Sequence, residues 1–198
     1  MTTRAVIFDI GGVLEFTAPT GWAVAWEARL ALPAGEINRR CADLWAAGAL
    51  GEITEAEVRT QVAARLGLDR AGLDALMADL WRDYLGTPNE DLIAYLRTLR
   101  GRCRRAILSN SFVGAREREQ PILDLVDVVV YSHEVGIAKP DPEAFALTAK
   151  LLQSRPEDCL FIDDHPPNIA AAQAFGMRAI LFTGNDRTIA AVEDHLRV

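Results

Sequence analysis

Short runs of apolar residues recur along the chain, separated by stretches long enough to form a helix. The runs are continuous rather than alternating, which is typical of strands buried on both faces of a parallel sheet. They cover residues 5–8, 106–108, 126 with 128–130, 160–162 and 179–182. Strand and helix in regular alternation predict an α/β fold with a doubly wound parallel-sheet (Rossmann-like) core.

Helix starts between these runs have recognisable signals. The sequence at residues 87–90 (TPNE) predicts a helix with Thr87 as its N-cap and a proline in the first position. Residues 141–142 (DP) predict the start of a second helix. Residues 166–168 (PPN) predict a third, which Gly176 would end.

The stretch from residue 17 to residue 86 has several helical patterns and no good strand pattern. A capping box at residues 54–57 (TEAE) begins one helix, and Leu73, Leu76 and Leu80 line a face of another. Because so long a helical insertion exceeds a simple crossover, we expect a helical cap subdomain at residues 17–86. The α/β core would then comprise residues 1–16 and 87–198.

The composition and the net charge argue against some classes of function. The formal net charge of the 198 residues is -7, which argues against general nucleic-acid binding because that needs a basic face. An anionic substrate would therefore need a local positive site. The three cysteines have no metal-binding spacing, and no apolar stretch approaches the ~20 residues of a membrane span. We expect a cytoplasmic protein without a nucleic-acid or membrane partner.

Polar residues follow the apolar runs at the points where these end. Asp9 follows the first run, Ser109 and Asn110 the second, and residues 163–164 (DD) the fourth, while Lys139 lies in the loop after the third. In open α/β sheets, ligands bind beyond the carboxyl ends of the strands. We therefore expect these groups to converge on one crevice.

The residue types at this crevice suit a divalent cation and a phosphate. Asp9, Asp163 and Asp164 offer hard oxygen ligands of the kind that Mg²⁺ prefers. Crowded carboxylates raise one another's pKa unless positive charge offsets them, and a divalent cation together with Lys139 would do so. Ser109 and the backbone amides after it can hold phosphate oxygens.

Four motifs in this order resemble those of the haloacid dehalogenase-like (HAD) hydrolase superfamily. The matching segments are residues 9–13 (DIGGV), 109–110 (SN), 139–142 (KPDP) and 163–164 (DD) with Asn168. They extend across the whole chain, and a helical cap is inserted at the same place in this branch of the superfamily. Within the cap, residues 30–33 (LALP) and 51–54 (GEIT) resemble the phosphatase domain fused to some epoxide hydrolases.

The resemblance implies a phosphoric monoester hydrolase that acts on a small phosphorylated metabolite. Asp9 would be the nucleophile and would form an aspartyl-phosphate. Ser109 and Lys139 would stabilise the charge that develops during the transfer, and Asn110 would bind the substrate.

The resemblance also implies Mg²⁺ as the cofactor. The ion would be held by Asp9, the carbonyl of Gly11 and Asp164, with Asp163 supporting or supplementing these ligands. The oligomeric state does not follow from the sequence.

Gly11 departs from the family's pattern. Phosphatases of the family usually have a second aspartate at this position, which protonates the leaving group and then activates the water. Such help is typically worth ~10²–10⁴-fold in rate.

Three alternatives follow from the absence of this aspartate. The chain is a phosphatase of esters with good leaving groups or uses another acid, such as Glu15. It is a weakly active or inactive phosphate-binding regulatory module. Or it is a 2-haloacid dehalogenase, although these carry Tyr-Gly-Thr where this chain has Gly-Gly-Val.

A response-regulator receiver domain is the alternative fold, because it also combines paired aspartates, a hydroxyl residue and a lysine. Its paired acids come at the first strand, whereas the pair here follows the fourth run. The long helical insertion has no counterpart in that fold.

Other polar and aromatic residues have simpler interpretations. The charges at residues 116–119 (RERE) predict a solvated helix face, and His195 is expected at the surface. Trp22 and Trp26 are four residues apart and share a helix face, which predicts packing in the cap core. The functional alternative is recognition of an apolar or sugar-like leaving group.

Overall fold

The computed structural model describes residues 4–197, so residues 1–3 and 198 of the predicted core lie outside the described residues. Its strands, in chain order, are β1 (Ala5–Phe8), β2 (Glu15–Phe16), β3 (Thr87–Pro88), β4 (Arg104–Ser109), β5 (Val128–Tyr131), β6 (Cys159–Asp163) and β7 (Arg178–Leu181). Five of them form a wholly parallel sheet in the order β5-β4-β1-β6-β7. Each predicted apolar run lies in or overlaps one of these five strands, which confirms the predicted sheet.

Helices of the core cover both faces of the sheet. They are α5 (Glu90–Thr98), α6 (Ala115–Leu123), the short α7 (Ser132–Val135), α8 (Pro142–Leu152), α9 (Pro166–Ala174) and α10 (Asn185–Arg197). Val6 and Phe8 of β1 pack with buried residues of α5, α6 and α10, whereas Ala5 and Ile7 pack with those of α8 and α9. Because successive side chains of a strand point to opposite faces, β1 contributes to both layers of the core. This is the predicted doubly wound architecture.

The stretch between β2 and β3 folds into four helices, as predicted. They are α1 (Trp22–Arg29), α2 (Glu36–Ala49), α3 (Glu55–Leu66) and α4 (Arg70–Leu85). Thr54 and Glu57 form the predicted capping box at the start of α3. The four helices share a hydrophobic cluster that also takes in Phe112 and Val113 from the loop after β4. The division into a cap at 17–86 and a core on either side of it stays our interpretation.

The two short strands β2 and β3 pair antiparallel. They lie directly before and after the stretch that contains α1 to α4. The predicted N-cap at Thr87 is therefore wrong, since Thr87 belongs to β3 and α5 begins after Asn89. The Asn89 side chain accepts a hydrogen bond from the Leu92 amide, and its Nδ2 donates to the Val13 carbonyl at 2.8 Å. Asn89 thus caps α5 and also ties it to the segment that follows β1. The other two predicted helix starts are confirmed.

Two of the simpler interpretations are wrong. Glu119 of α6 is buried, although Glu117 and Arg118 beside it lie at the surface as expected. His195 is completely buried in α10, and its Nε2 lies 3.2 Å from the Asp158 carbonyl oxygen. In both cases the helix turns a polar side chain inward to a buried partner, which a charge pattern along the sequence does not reveal. No helix within residues 4–197 has the length and apolarity that crossing a membrane requires.

Candidate active site

Asp9 follows β1 directly, at the carboxyl edge of the sheet. Its backbone amide still donates to the Ile162 carbonyl of β6, at 2.9 Å, so the residue is fixed by the sheet itself. The Oδ1 atom of its side chain accepts from the Ile10 amide at 2.8 Å and lies 2.8 Å from the Lys139 ammonium nitrogen. One carboxylate oxygen of Asp9 is therefore held in place, and only 8% of the residue is exposed.

Lys139 bridges the ends of two adjacent strands. Its ammonium nitrogen lies 2.8 Å from Asp9 Oδ1 and 2.7 Å from Asp163 Oδ2, and the side chain is buried. Asp163 also accepts from the Asn168 amide group, at 3.1 Å and 3.0 Å, and from the His165 backbone amide at 2.7 Å. A buried ammonium between two carboxylates costs desolvation free energy that only good geometry offsets, and each polar group here has a partner.

Asp164 completes an acidic cluster with Asp9 and Asp163. One carboxylate oxygen from each of the three lies within 4.8 Å of the others, and Asp164 is the exposed member. Gly12 makes room for it: with φ at 75°, a Cβ atom built on Gly12 would lie 2.1 Å from Asp164 Oδ2. Three carboxylates against one ammonium leave the cluster negative, so these donors fit a hard divalent cation such as Mg²⁺.

Burial controls the protonation of Asp9. Removal from water raises the pKa of its carboxyl to about 6, against the opposing effect of the Lys139 charge; the neighbouring Asp163 charge raises it further. Additional positive charge at the cluster would favour the ionised form of Asp9 at neutral pH.

Asn110 directly follows β4, as predicted, and its side chain holds the loop that carries Lys139. Its Nδ2 donates to the Lys139 carbonyl at 2.8 Å, and its Oδ1 accepts from the Lys139 amide at 2.7 Å. Substrate binding by Asn110 stays a prediction. Ser109 is the last residue of β4, and it is buried.

A small cavity of about 200 Å³ lies next to the turn that follows Asp9. Its walls include Gly11, Ser109, Asn110 and the two carboxylic acids Glu15 and Glu119. Burial raises the pKa of Glu15 to about 8, with the Glu119 charge adding to the effect. Burial also raises the pKa of Glu119 to about 7, although the hydrogen bond from the Tyr131 hydroxyl opposes the shift. The cavity next to Gly11 therefore contains two carboxyl groups that hold protons near neutral pH.

Sequence reasoning named Glu15 as a substitute acid but missed Glu119. The sequence pattern predicts that Glu119 belongs to a solvated helix face, because the three residues before it are charged. The available signal was the helical period, since Ile122 and Leu123, three and four residues on, are buried on the same face of α6.

A second cavity of about 310 Å³ lies between the helices of the cap and the loop after β4. Most of its lining is aromatic or aliphatic, and the lining residues are Trp22, Asn38, Trp45, Ala49, Leu80, Asp83, Tyr84, Ser111 and Phe112. Trp22 is only partly buried and lines this cavity, whereas Trp26 is buried and donates from Nε1 to Asp79 Oδ2 at 2.9 Å. The two tryptophans thus have different environments. Trp26 is buried in the cap core as expected, whereas Trp22 is only partly buried.

Comparisons with known proteins identify a family and several relatives to which this chain is similar. Residues 3–176 match the model of the haloacid dehalogenase-like hydrolase family. Phosphatase MT3486 of Mycobacterium tuberculosis is 34% identical over 95% of this chain and 91% of its own length. Bifunctional epoxide hydrolase 2 of Sus scrofa is 25% identical over 98% of this chain. The chain spans only 39% of that protein's length and 18% of another relative's.

A solved structure is similar over nearly the whole chain. It is a HAD family enzyme of Bacteroides thetaiotaomicron, crystallised with magnesium and inorganic phosphate, with a TM-score of 0.77 at 23% identity. The match covers 93% of this chain and 96% of that one. At this level of identity the similarity supports the fold alone.

Proposed function

Because the chain belongs to the haloacid dehalogenase-like hydrolase family, we propose that it is a Mg²⁺-dependent phosphatase that uses Asp9 as its nucleophile. The observation that carries the proposal is the geometry at the sheet edge, where Asp9, Asp163 and Asp164 surround a possible cation position and Lys139 holds Asp9 Oδ1. The substrate class is a small phosphorylated metabolite.

In the first step, the Oδ2 atom of Asp9 attacks the phosphorus atom of the ester. Oδ1 is held by the Ile10 amide and by Lys139, so the carboxylate is already oriented when the substrate binds. The bond from phosphorus to the leaving oxygen breaks as the aspartyl-phosphate forms. The Lys139 ammonium and the Ser109 hydroxyl stabilise the negative charge on the phosphoryl oxygens.

Asp9, Asp164 and the Gly11 carbonyl are the residues that would hold Mg²⁺. When bound, the ion supplies positive charge that neutralises the transferring phosphoryl group. The carboxylate of Asp163 already accepts hydrogen bonds from Lys139, Asn168 and His165, so its contribution is to position Lys139 and to add negative charge.

Glu15 takes the place of the acid that is missing at Gly11. It is buried and lines the same small cavity as Gly11 and Ser109. In the first step its carboxyl donates a proton to the leaving oxygen. In the second step its carboxylate takes a proton from the water that attacks the phosphoryl group, and Asp9 is released.

The test is phosphate release from a panel of phosphomonoesters, with and without Mg²⁺, for the wild type and for Asp9→Asn. We expect Mg²⁺-dependent release that falls by at least about a thousandfold in the variant, because the amide is not a nucleophile. Glu15→Gln should lose more activity on esters of weakly acidic alcohols than on acetyl phosphate, whose leaving group needs no proton.

Other outcomes of this test would indicate a different nucleophile or a different function. Unchanged turnover in Asp9→Asn would contradict the nucleophile. Binding of inorganic phosphate without turnover of any ester would identify a regulatory binding module. Chloride release from 2-haloacids without phosphatase activity would identify a dehalogenase.

A further inference from the structure

The cap cavity of about 310 Å³ lies next to the small cavity that Gly11 lines. Tyr84 of α4 lines both. The loop after β4 also runs from one to the other, since Ser109 and Asn110 line the small cavity and Ser111 and Phe112 line the large one. A phosphate ester with its phosphoryl group at Asp9 would therefore extend its alcohol portion along Tyr84 and Phe112.

The surface that this cavity presents is aromatic. Trp45 and Trp81 both contact Phe112 edge-on, with ring centroids 6.0 Å and 6.1 Å apart, and Trp81 contacts Tyr84 in the same way at 5.2 Å. These contacts fix the rings before a ligand arrives. Rigid aromatic walls favour flat apolar groups, which stack on them or meet them edge-on.

The polar groups in the wall are mostly engaged with protein partners. Asp83 Oδ1 accepts from the amide and the hydroxyl of Thr20, at 2.6 Å and 2.7 Å. Ser111 Oγ lies 2.6 Å from His133 Nδ1. Neither a lysine nor an arginine is among the lining residues in the described part of the chain, and Asp83 brings a negative charge. Apart from Asn38, the wall therefore offers few free hydrogen-bond partners to replace the hydration that an anionic or heavily hydroxylated alcohol would lose here.

We infer that the cap cavity binds the alcohol portion of the ester, and that this alcohol is uncharged, apolar and ring-containing. The inference rests on the proposed phosphatase activity and narrows its substrate class. A volume of about 310 Å³ equals that of roughly ten water molecules, which is room for one or two rings.

The test compares esters whose alcohols have similar acidity. We expect kcat/KM for 2-naphthyl phosphate to exceed that for O-phosphotyrosine by about tenfold or more, and to exceed that for phenyl phosphate, because each added apolar group in such a pocket gives a moderate gain. Acetyl phosphate reports on the reaction at Asp9 alone. Equal efficiencies for the three aryl esters, or a preference for O-phosphotyrosine, would overturn the inference.

A pair of variants on α2 tests whether the preference for an apolar ring arises in the cap cavity. Ala49 lines the cavity and Ala46 on the same helix is exposed. Ala49→Phe should lower the ratio of kcat/KM for 2-naphthyl phosphate to that for acetyl phosphate by about tenfold, whereas Ala46→Phe should leave this ratio unchanged. If both variants keep the wild-type ratio, the alcohol binds elsewhere.

Calorimetric titration of 2-naphthol into the wild-type protein with inorganic phosphate gives a second readout that does not depend on how the variants fold. Saturable binding that O-phosphotyrosine does not displace supports the inference, and absence of binding contradicts it. If acetyl phosphate itself released no phosphate, the phosphatase proposal would fail, which is distinguishable from active hydrolysis without a preference for apolar rings.

Discussion

A Cβ atom built on Gly11 would have the Cγ2 atom of Thr17 as its nearest neighbour, 4.0 Å away. Since φ of Gly11 is not in the left-handed region, a side chain at this position needs no backbone change. The position that usually carries the acid in related phosphatases is thus sterically open in this chain.

In a Glu15→Gln background, Gly11→Asp should raise kcat/KM on esters with poor leaving groups by about ten- to hundredfold, because it restores the acid that this background lacks. The measurement is phosphate release from alkyl and aryl phosphates of graded alcohol acidity. Gly11→Asn is the matched control, since it has nearly the same shape and no proton to give. In that background, an equal response of Gly11→Asp and Gly11→Asn across the series would mean that an acid at position 11 does not protonate the leaving oxygen.

Gly12 should tolerate no side chain, in contrast to Gly11. Its φ is 75°, and an added Cβ would overlap the Asp164 carboxylate. Gly12→Ala should therefore displace Asp164 and lower Mg²⁺-dependent turnover by about tenfold or more, while Gly11→Ala keeps most of the stability and the metal affinity. Thermal melting and a Mg²⁺ titration of both variants check this. Equal metal affinities would show that Asp164 does not hold the ion.

Mg²⁺ should stabilise the folded protein through Asp9 and Asp164. At a hundred times its Kd, a ligand adds ~2.7 kcal/mol to the free energy of unfolding, which for a chain of this size raises Tm by roughly 5–10 °C. Asp164→Asn should lose most of this increase. Asp194→Asn, an exposed aspartate of α10 paired with Arg178, should keep it. A Tm increase that survives Asp164→Asn would place the ion at other residues.

The sequence was sufficient to predict the sheet, the helical stretch between β2 and β3, and the grouping of Asp9, Lys139, Asp163 and Asp164. Buried parallel strands carry a strong apolar signal, and parallel strands bring their carboxyl ends to one edge. What it could not supply was the orientation of side chains on helices that carry both charged and apolar residues. Glu119 and His195 were misassigned for this reason, since burial of a polar group depends on a partner distant in sequence.

The pairing of β2 with β3 escaped sequence reasoning for a different reason. Thr87 and Pro88 resemble a helix start, and only the contact with Glu15 and Phe16, some 70 residues earlier, makes them a strand. This contact also fixes Glu15 beside the active site. The position of Tyr84 in the lining of both cavities likewise depends on tertiary packing of α4 on the loop after β4.

Glu119 makes the stability of the protein depend on pH, in a direction unusual for a carboxylic acid. Burial raises its pKa in the folded state to about 7 from an ordinary value of 4.5. Between these values the folded protein keeps the proton and the unfolded chain has lost it, so the free energy of unfolding falls as pH rises. The difference between the two pKa values corresponds to a loss of about 3 kcal/mol in the free energy of unfolding for a fully buried group.

Glu119→Gln should remove this dependence, because the neutral amide resembles the protonated acid and can still accept from the Tyr131 hydroxyl. We expect the variant to match the wild type at pH 5 and to melt several degrees higher at pH 8. Glu117→Gln, exposed on the same helix, is the control and should follow the wild type throughout. The other acids near this site are Glu15, whose pKa is also raised by burial, and Asp9, and both remain in the variant. A constant offset between the Glu119→Gln and wild-type melting curves from pH 5 to pH 8 would mean that Glu119 is ionised in the folded protein, and that Glu15 alone holds a proton in the cavity.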